Sequence, residues 1–277
     1  MNEMFSWVAV INDILYCNEM RILFYCALAS VMTCFAHETS SNTNDTVLLA
    51  KSWLNAPYVF DPLEDNAKSI RTDAFDCFSL IQTLISAHNS IDQTQMIQHL
   101  DAIRYQKSPK NYTHRYHFAS HEWLPAMIEK GYLTDSTSQL GLKSEHIQQW
   151  AHPKAFWVYQ SSLHPEFKND IEQLSPPEKV CQSMAYISIN ELQQHPLPKQ
   201  PNPMIVAIVN HDWPQQSAIN TQLLVSHFGL AFYENNQWFI IHASSKQHRV
   251  IQETFNDFIA QRAHHPHIIG LAFYSLT

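Results

Sequence analysis

The sequence predicts an α+β fold. Segments with helical periodicity occupy the chain up to about residue 131, and from Cys181 onward the pattern changes to strands that read as an antiparallel sheet. At 277 residues, with 45% hydrophobic and 15% charged side chains, the chain is long enough to bury a full core.

A first helix is expected from a cap at Asn44 or Asp45 through "TVLLAKSWL", followed by an irregular loop, "NAPYVFDPLEDNAKS". In "RTDAFDCFSL" the expected cap is Asp73, with Ala74 to Cys77 in the first turn and Phe78, Ile81, Leu84 and Ile85 on the apolar face. Two more helices are predicted in "TQMIQHLDAIRY" and "SHEWLPAMIEKG", the second stopped by Gly131. The stretch 135 to 180 is polar and proline-dotted and reads as loops with a short helix. Strands are then expected in "MAYISI", "MIVAIVN", "LVSHFGLAFYE", "QWFIIHAS", "HRVIQE" and "IIGLAFYSL". Short helices interrupt them at "SINELQQH", where Ser188 and Glu191 have capping-box spacing, and at "TFNDFIAQ".

Charge and composition exclude several functions. A formal net charge of -8 argues against a nucleic acid partner, and four glycines without a phosphate-loop motif argue against a nucleotide site. At the N-terminus, Met20 is the better start: Arg21, an apolar run from Ile22 to Phe35, and Ala36 before cleavage form an export signal too short to span a bilayer. The expected organisation is therefore residues 1–36 as extension plus signal peptide, and 37–277 as one domain, exported to the periplasm without stable membrane insertion. Cys17, Cys26 and Cys34 leave with the signal. Cys77 and Cys181 remain, and in an oxidising compartment the two can pair.

The hairpin at 225–244 carries the chemistry. With Asn235 and Asn236 as a two-residue turn, Tyr233 pairs with Trp238, Gly229 with His242 and His227 with Ser244. Alternation puts His227, Gly229 and Ala231 on one face with Trp238, His242 and Ser244, so the two histidines become diagonal neighbours about 7 to 8 Å apart. Gly229 and Ala231 are small, and a helix N-terminus bearing a cysteine would fit beside them. A thiol of ordinary pKa near 8.5 is pushed toward thiolate by a helix N-terminus and an adjacent imidazolium. Cys77 would then be nucleophile, His227 base and later acid, and His242 the orienting partner, with the Cys77 N–H available to an oxyanion. The plainer alternatives are a buried cysteine acting as a small apolar residue and histidines that are ordinary members of a set of 17. His264, His265 and His267 in "AHHPHIIG" lack a matching second cluster and read as a solvated loop rather than a metal site.

"FDC" opening a helix, followed by "SHFGLAFY" and "HASS", resembles the NlpC-type branch of the papain-like cysteine hydrolases. The ordered set "APYVFDPLED", "FDCFSLIQTL", "IRYQ", "RYHFASHEW", "VSHFGLAFY" and "IHASS" resembles the N-acetylmuramoyl-L-alanine amidase branch, over about residues 50 to 260. The resemblance implies a papain-like fold, with the helix of Cys77 packed on an antiparallel sheet or barrel. It implies Cys77, His227 and His242 as catalytic residues, and Tyr58 as an aid to the oxyanion. Arg104, Tyr105, Arg115, His117 and Trp123 match further marked positions, and a cationic and aromatic group suits a ligand with a carboxylate and a sugar ring; packing and surface ion pairing are the alternative. The implied substrates are peptidoglycan fragments or muropeptides, and no metal or organic cofactor is implied. Asn55 and Gln82 stand where the family pattern has glycine and glutamate, and "PMIVAIV" lacks a glycine common at that strand, which bears on substrate fit. The nearest competing activity is cleavage between D-glutamate and a diamino acid on the same fold; the other is a non-catalytic wall-binding module. An acyl-transferring relative is disfavoured because Cys77 precedes His227 in the chain.

Overall fold

The computed structural model describes residues 43–67, 69–212 and 219–277. The expected leader and extension, residues 1–36, lie outside the described residues. Four helices come first: α1 Thr43–Ser52, α2 Cys77–His88, α3 Gln93–Arg104 and α4 Leu124–Glu129. Strands β1 Leu133–Asp135 and β2 Ser144–Ala151, helices α5 Pro153–Leu163 and α6 Lys168–Glu172, then β3 Val180–Ser188 and α7 Ile189–Gln194 follow. The chain ends with β4 Met204–Asn210, β5 Val225–Glu234, β6 Gln237–Ser244, β7 Arg249–Thr254, α8 Phe255–Arg262 and β8 Ile268–Leu276.

All strands belong to one eight-stranded antiparallel sheet, ordered β2-β3-β8-β4-β5-β6-β7, with β1 also on β8. The sheet is open rather than a barrel. One edge of β8 pairs with β4 along its length; the other is divided between β3, at Gly270 and Leu271, and β1, from Tyr274 to Leu276. Alternation sorts the side chains of β5 and β6 onto two cores. Phe228, Leu230, Phe232 and Ile241 face Leu80, Ile81, Leu84 and Ile85 of α2, while Ala231, Trp238 and Ile240 face Phe255, Phe258 and Ile259 of α8.

Asn235 and Asn236 both have positive φ, 51° and 62°, as a type I′ hairpin turn requires. The ladder runs from Glu234↔Gln237 to Leu230↔Ile241, the expected register. Asn55 takes φ 70°, a left-handed conformation that explains why a glycine would suit its place.

Three expectations require correction. Helix α2 starts at Cys77, capped by Asp76 and not Asp73. The cause is a parallel bridge between Tyr58 and Phe75, in which Phe75 N–H donates to the Pro57 carbonyl and Val59 N–H to that of Phe75, holding the chain extended until residue 76. Asp73 instead pairs with Arg71 at the surface. Within 135–180 the structure has a full strand, β2, whose buried positions are Ile147, Gln149 and Ala151, so a glutamine breaks the apolar alternation that would reveal it. Finally, the segment before α4 opens with a π-type turn over Ala119–Trp123.

Candidate active site

Helix α2 sets Cys77 against β5. Asp76 closes a capping box: its Oδ1 accepts from Ser79 N–H at 2.6 Å, and Ser79 Oγ accepts from Asp76 N–H at 2.9 Å. Its second oxygen accepts from Asp61 N–H at 2.9 Å, tying the preceding loop to the helix start. Phe78 stacks on Phe228 with ring centroids 5.5 Å apart, and Trp123 meets both rings edge-on at 4.8 and 5.3 Å. The residue after Cys77 is thereby pinned to the residue after His227.

This contact lies on the opposite face from the one expected. Gly229 and Ala231 do not make the niche for the helix; a Cβ on Gly229 would meet Ile240 Cδ1 at 2.8 Å, because Ile240 already fills that space. The thiol reaches β5 from the other side, with the Phe228 N–H directed at it.

The two histidines meet as expected: His227 Nε2 and His242 Nδ1 are 2.9 Å apart. His242 Nε2 lies 2.9 Å from Glu253 Oε1, a partner that sequence reading missed. The register of the sheet puts it there, since His242 pairs with Ile251 across β6 and β7 and Glu253 is two residues further on the same face. Burial alone would raise the Glu253 carboxyl, but the His242 hydrogen bond and charge, with Arg262 and Gln261, hold it below the ordinary range. An ionised carboxylate only accepts, so the hydrogen bonding assigns the proton of His242 to Nε2 and leaves Nδ1 to accept from His227 Nε2–H. His227 Nδ1 is then the unprotonated nitrogen. Among the described residues no hydrogen bond joins it to Cys77.

The electrostatics depart from expectation. Burial pushes the Cys77 thiol up to about 12, and the Asp76 charge adds to this, outweighing the N–H groups of Phe228, Cys77 and Phe78. Burial also lowers His227 well below the ordinary histidine value, with His242 and Arg262 adding, and lowers His242 against the pull of Glu253. The resting pair is thus neutral thiol and neutral imidazole, not a thiolate–imidazolium pair. Asp76→Asn is expected to lower the thiol pKa and speed alkylation of Cys77 at pH 7, read by mass spectrometry of its peptide; an unchanged rate would remove Asp76 as a cause.

Tyr58 is half-buried beside Cys77; burial first, then the charges of Cys77 and Asp76, raise its phenol to about 12, so it stays a donor. The remaining expected residues form a framework next to this site. Arg104 is buried and donates to the carbonyls of Leu63 at 2.9 Å and Glu64 at 3.2 Å. Arg115 pairs with Asp61 at 2.6 Å and Asp65 at 2.7 Å, and Tyr105 donates to Asp65. His117 is held through Nε2 by the Tyr112 carbonyl at 2.7 Å, and Trp123, fully buried, donates to the Ile103 carbonyl at 3.0 Å. The acidic loop "DPLED", read from sequence as a polar turn, thus supplies the counter-charges for both arginines. A cavity of about 440 Å³ lies between that loop and α3, lined by Leu63, Ile70, Leu100 and Arg104 among others; neither Cys77 nor the histidine pair lines it.

Cys77 and Cys181 are both free, so the alternative in which the two pair is not met: Cys181 is exposed on β3 opposite Trp150, while Cys77 is seated at the sheet face. Among the described residues no group of three or more His, Cys, Asp or Glu is placed to hold a metal ion, and no helix is long and apolar enough to cross a membrane.

Burial lowers His117 to about 4. A base with a depressed folded pKa stabilises the fold above its unfolded value near 6.5 and loses that contribution as pH falls toward 4, about 3 kcal/mol for His117. Tm is expected to fall between pH 7 and pH 5, and His117→Asn to flatten the slope; a flat wild-type profile would contradict it.

The fold matches that of amidases and their relatives. A Legionella pneumophila protein aligns with TM-score 0.78 at 20% identity over 93% of this chain and 97% of its own. An N-acetylmuramoyl-L-alanine amidase from Bacteroides uniformis aligns with TM-score 0.64 at 21% identity over 85% of this chain and 98% of its own. No curated protein matches. The model of the AmiA-like family, described as N-acetylmuramoyl-L-alanine amidase-like, matches residues 48–265, and the chain belongs to that family.

Proposed function

We propose that this protein is a cysteine amidase of the NlpC-type, papain-like kind that hydrolyses the amide between N-acetylmuramic acid and L-alanine in peptidoglycan or muropeptides. The observation that carries the proposal is the stacking of Phe78 on Phe228, which sets Cys77 at the start of α2 beside β5, next to a histidine whose Nε2 is engaged by His242. Membership of an amidase-like family supports the choice of bond.

In this reaction the Cys77 sulfur adds to the muramoyl carbonyl carbon as its proton passes to His227 Nδ1. Because the resting thiol is neutral, transfer accompanies attack. The oxyanion is received by the N–H groups at the start of α2 and by the Tyr58 hydroxyl. His227 returns the proton to the alanine nitrogen as the C–N bond breaks, and water, losing its proton to the same imidazole, releases the acyl-enzyme. No metal or organic cofactor takes part. Arg104, Tyr105 and Arg115 hold the 61–65 loop, whose Asp61 N–H bonds the cap of α2. Export to the periplasm belongs to the same proposal, and N-terminal sequencing of the secreted protein should find the start just after Ala36.

The deciding experiment is mass spectrometry of products from a defined muropeptide incubated with wild type and Cys77→Ala. A free peptide beginning with L-alanine, absent with the variant, is expected. Cleavage between D-glutamate and the diamino acid would replace amidase by endopeptidase. Intact substrate with an unreactive Cys77 would leave a wall-binding module.

A further inference from the structure

The hydrogen-bonded line from His227 does not end at His242. It continues to Glu253 on β7, and Glu253 is itself fixed from two sides of α8: Gln261 Nε2 donates to Oε2, and Arg262 lies 3.9 Å from Oε1. Arg262 is in turn held over the Phe258 ring, 3.3 Å from its centroid, and donates to the Phe258 carbonyl at 2.7 Å. Phe258 also packs against His242, with ring centroids 5.4 Å apart. The carboxylate therefore has a fixed position and a fixed charge, with its side chain only 13% exposed.

We propose that Glu253 is a positioning residue of this site, setting the proton arrangement of both histidines so that His227 presents its bare Nδ1 to the Cys77 thiol; this rests on the cysteine amidase reading. Were the carboxylate absent, His242 could carry its proton on Nδ1. That proton would oppose His227 Nε2–H, and His227 would move its own proton to Nδ1, the nitrogen that must accept from the thiol. Glu253 does no chemistry on the substrate. The thiol proton passes to His227 Nδ1 and on to the leaving nitrogen, His227 Nε2–H stays in place throughout, and no proton crosses to Glu253.

The charges acting on the histidine pair are Glu253 from β7 and Arg262 from α8; Gln261 is neutral. Glu253 favours the imidazolium and Arg262 opposes it. Removing them should shift the apparent pKa of the pair in opposite directions, and the value belongs to the pair rather than to one ring.

The test uses two pH profiles on the full chain: kcat/KM for an N-acetylmuramoyl-L-alanyl peptide, and the alkylation rate of Cys77 by iodoacetamide, read on the Cys77 peptide so that Cys181 does not contribute. For Glu253→Gln the expected result is at least a tenfold fall in kcat/KM with KM within about twofold, and an acid limb displaced to lower pH. For Arg262→Gln the acid limb moves to higher pH. A purely structural role would lower Tm in both variants without opposite displacements, and would overturn the proposal, as would a Glu253→Gln profile that matches wild type. If Glu253→Gln does not fold, Glu253→Asp keeps the charge and should retain the wild-type limb with a lower rate; a displaced limb would count against the proposal. His227→Ala separates the two levels. Alkylation of Cys77 at the wild-type rate in His227→Ala would overturn the thiol–imidazole reading itself, whereas a slow rate there with an unaffected Glu253→Gln would overturn only the role of Glu253.

Discussion

Cys77→Ser is expected to lower kcat/KM for an N-acetylmuramoyl-L-alanyl peptide by about a thousandfold or more, equivalent to about 4 kcal/mol of transition-state stabilisation, while Tm stays within about 2 °C. The size of the loss follows from the base. Burial weakens His227, so it can take a proton from a thiol as the sulfur attacks but is poorly matched to a hydroxyl whose pKa is several units higher. Serine occupies nearly the same volume at the start of α2, and Cys77 has no disulfide to lose. Activity within tenfold of wild type would rule out the thiol as nucleophile.

Trp123→Ala is expected to lower stability by about 3 to 5 kcal/mol, with a fall in Tm of roughly 10 °C or more. The side chain is fully buried, meets Phe78 and Phe228 edge-on, and its N–H satisfies the Ile103 carbonyl. Its loss opens a cavity behind the two residues that align Cys77 with His227, so thiol alkylation should also lose its dependence on the histidine. Trp123→Phe keeps most of the ring contact and should cost less in stability with little change in KM. A large rise in KM for that variant at unchanged Tm would instead make Trp123 a ligand contact.

Much of the β half was legible because two local rules agree there. A pair of asparagines able to adopt positive φ fixes the turn, and the turn fixes the register from Glu234↔Gln237 to Leu230↔Ile241, so the meeting of His227 and His242 just beyond it follows from counting residues. Small size at Gly229 suggests room for a helix, but Ile240 fills that space across the strands, a contact not visible without the sheet, and α2 packs on the other face. The same holds for charge. "FDC" shows a thiol at a helix start, which argues for a low pKa, but the depth of burial and the nearness of Asp76 are products of the Tyr58–Phe75 bridge, a contact between segments 17 residues apart in numbering. Glu253 was hidden because its partner depends on the turn joining β6 to β7, where His248 takes φ 56° without a glycine to advertise it. Arg104 and Arg115 are recognisable as cations in the right segments, yet their carboxylate partners, Asp61 and Asp65, lie some forty to fifty positions away.

Strand β8 lends one edge to two neighbours, and this gives the fold a place where it can change. The chain leaves that edge at β1 and returns to it only at Ile187 and Ser188, the end of β3, so everything between Ser136 and Tyr186 has both ends anchored on a single strand. A segment held in this way is a socket: its contents can be lengthened, shortened or exchanged over evolutionary time while the strands bearing His227 and His242 keep their register. In this chain the socket holds the β2–β3 pair with α5 and α6, and Phe156, Trp157 and Ile171 from it pack on Tyr112 and Phe118, on either side of Arg115. Divergence within the family would then retune the arginine framework from outside, leaving the thiol and its base untouched.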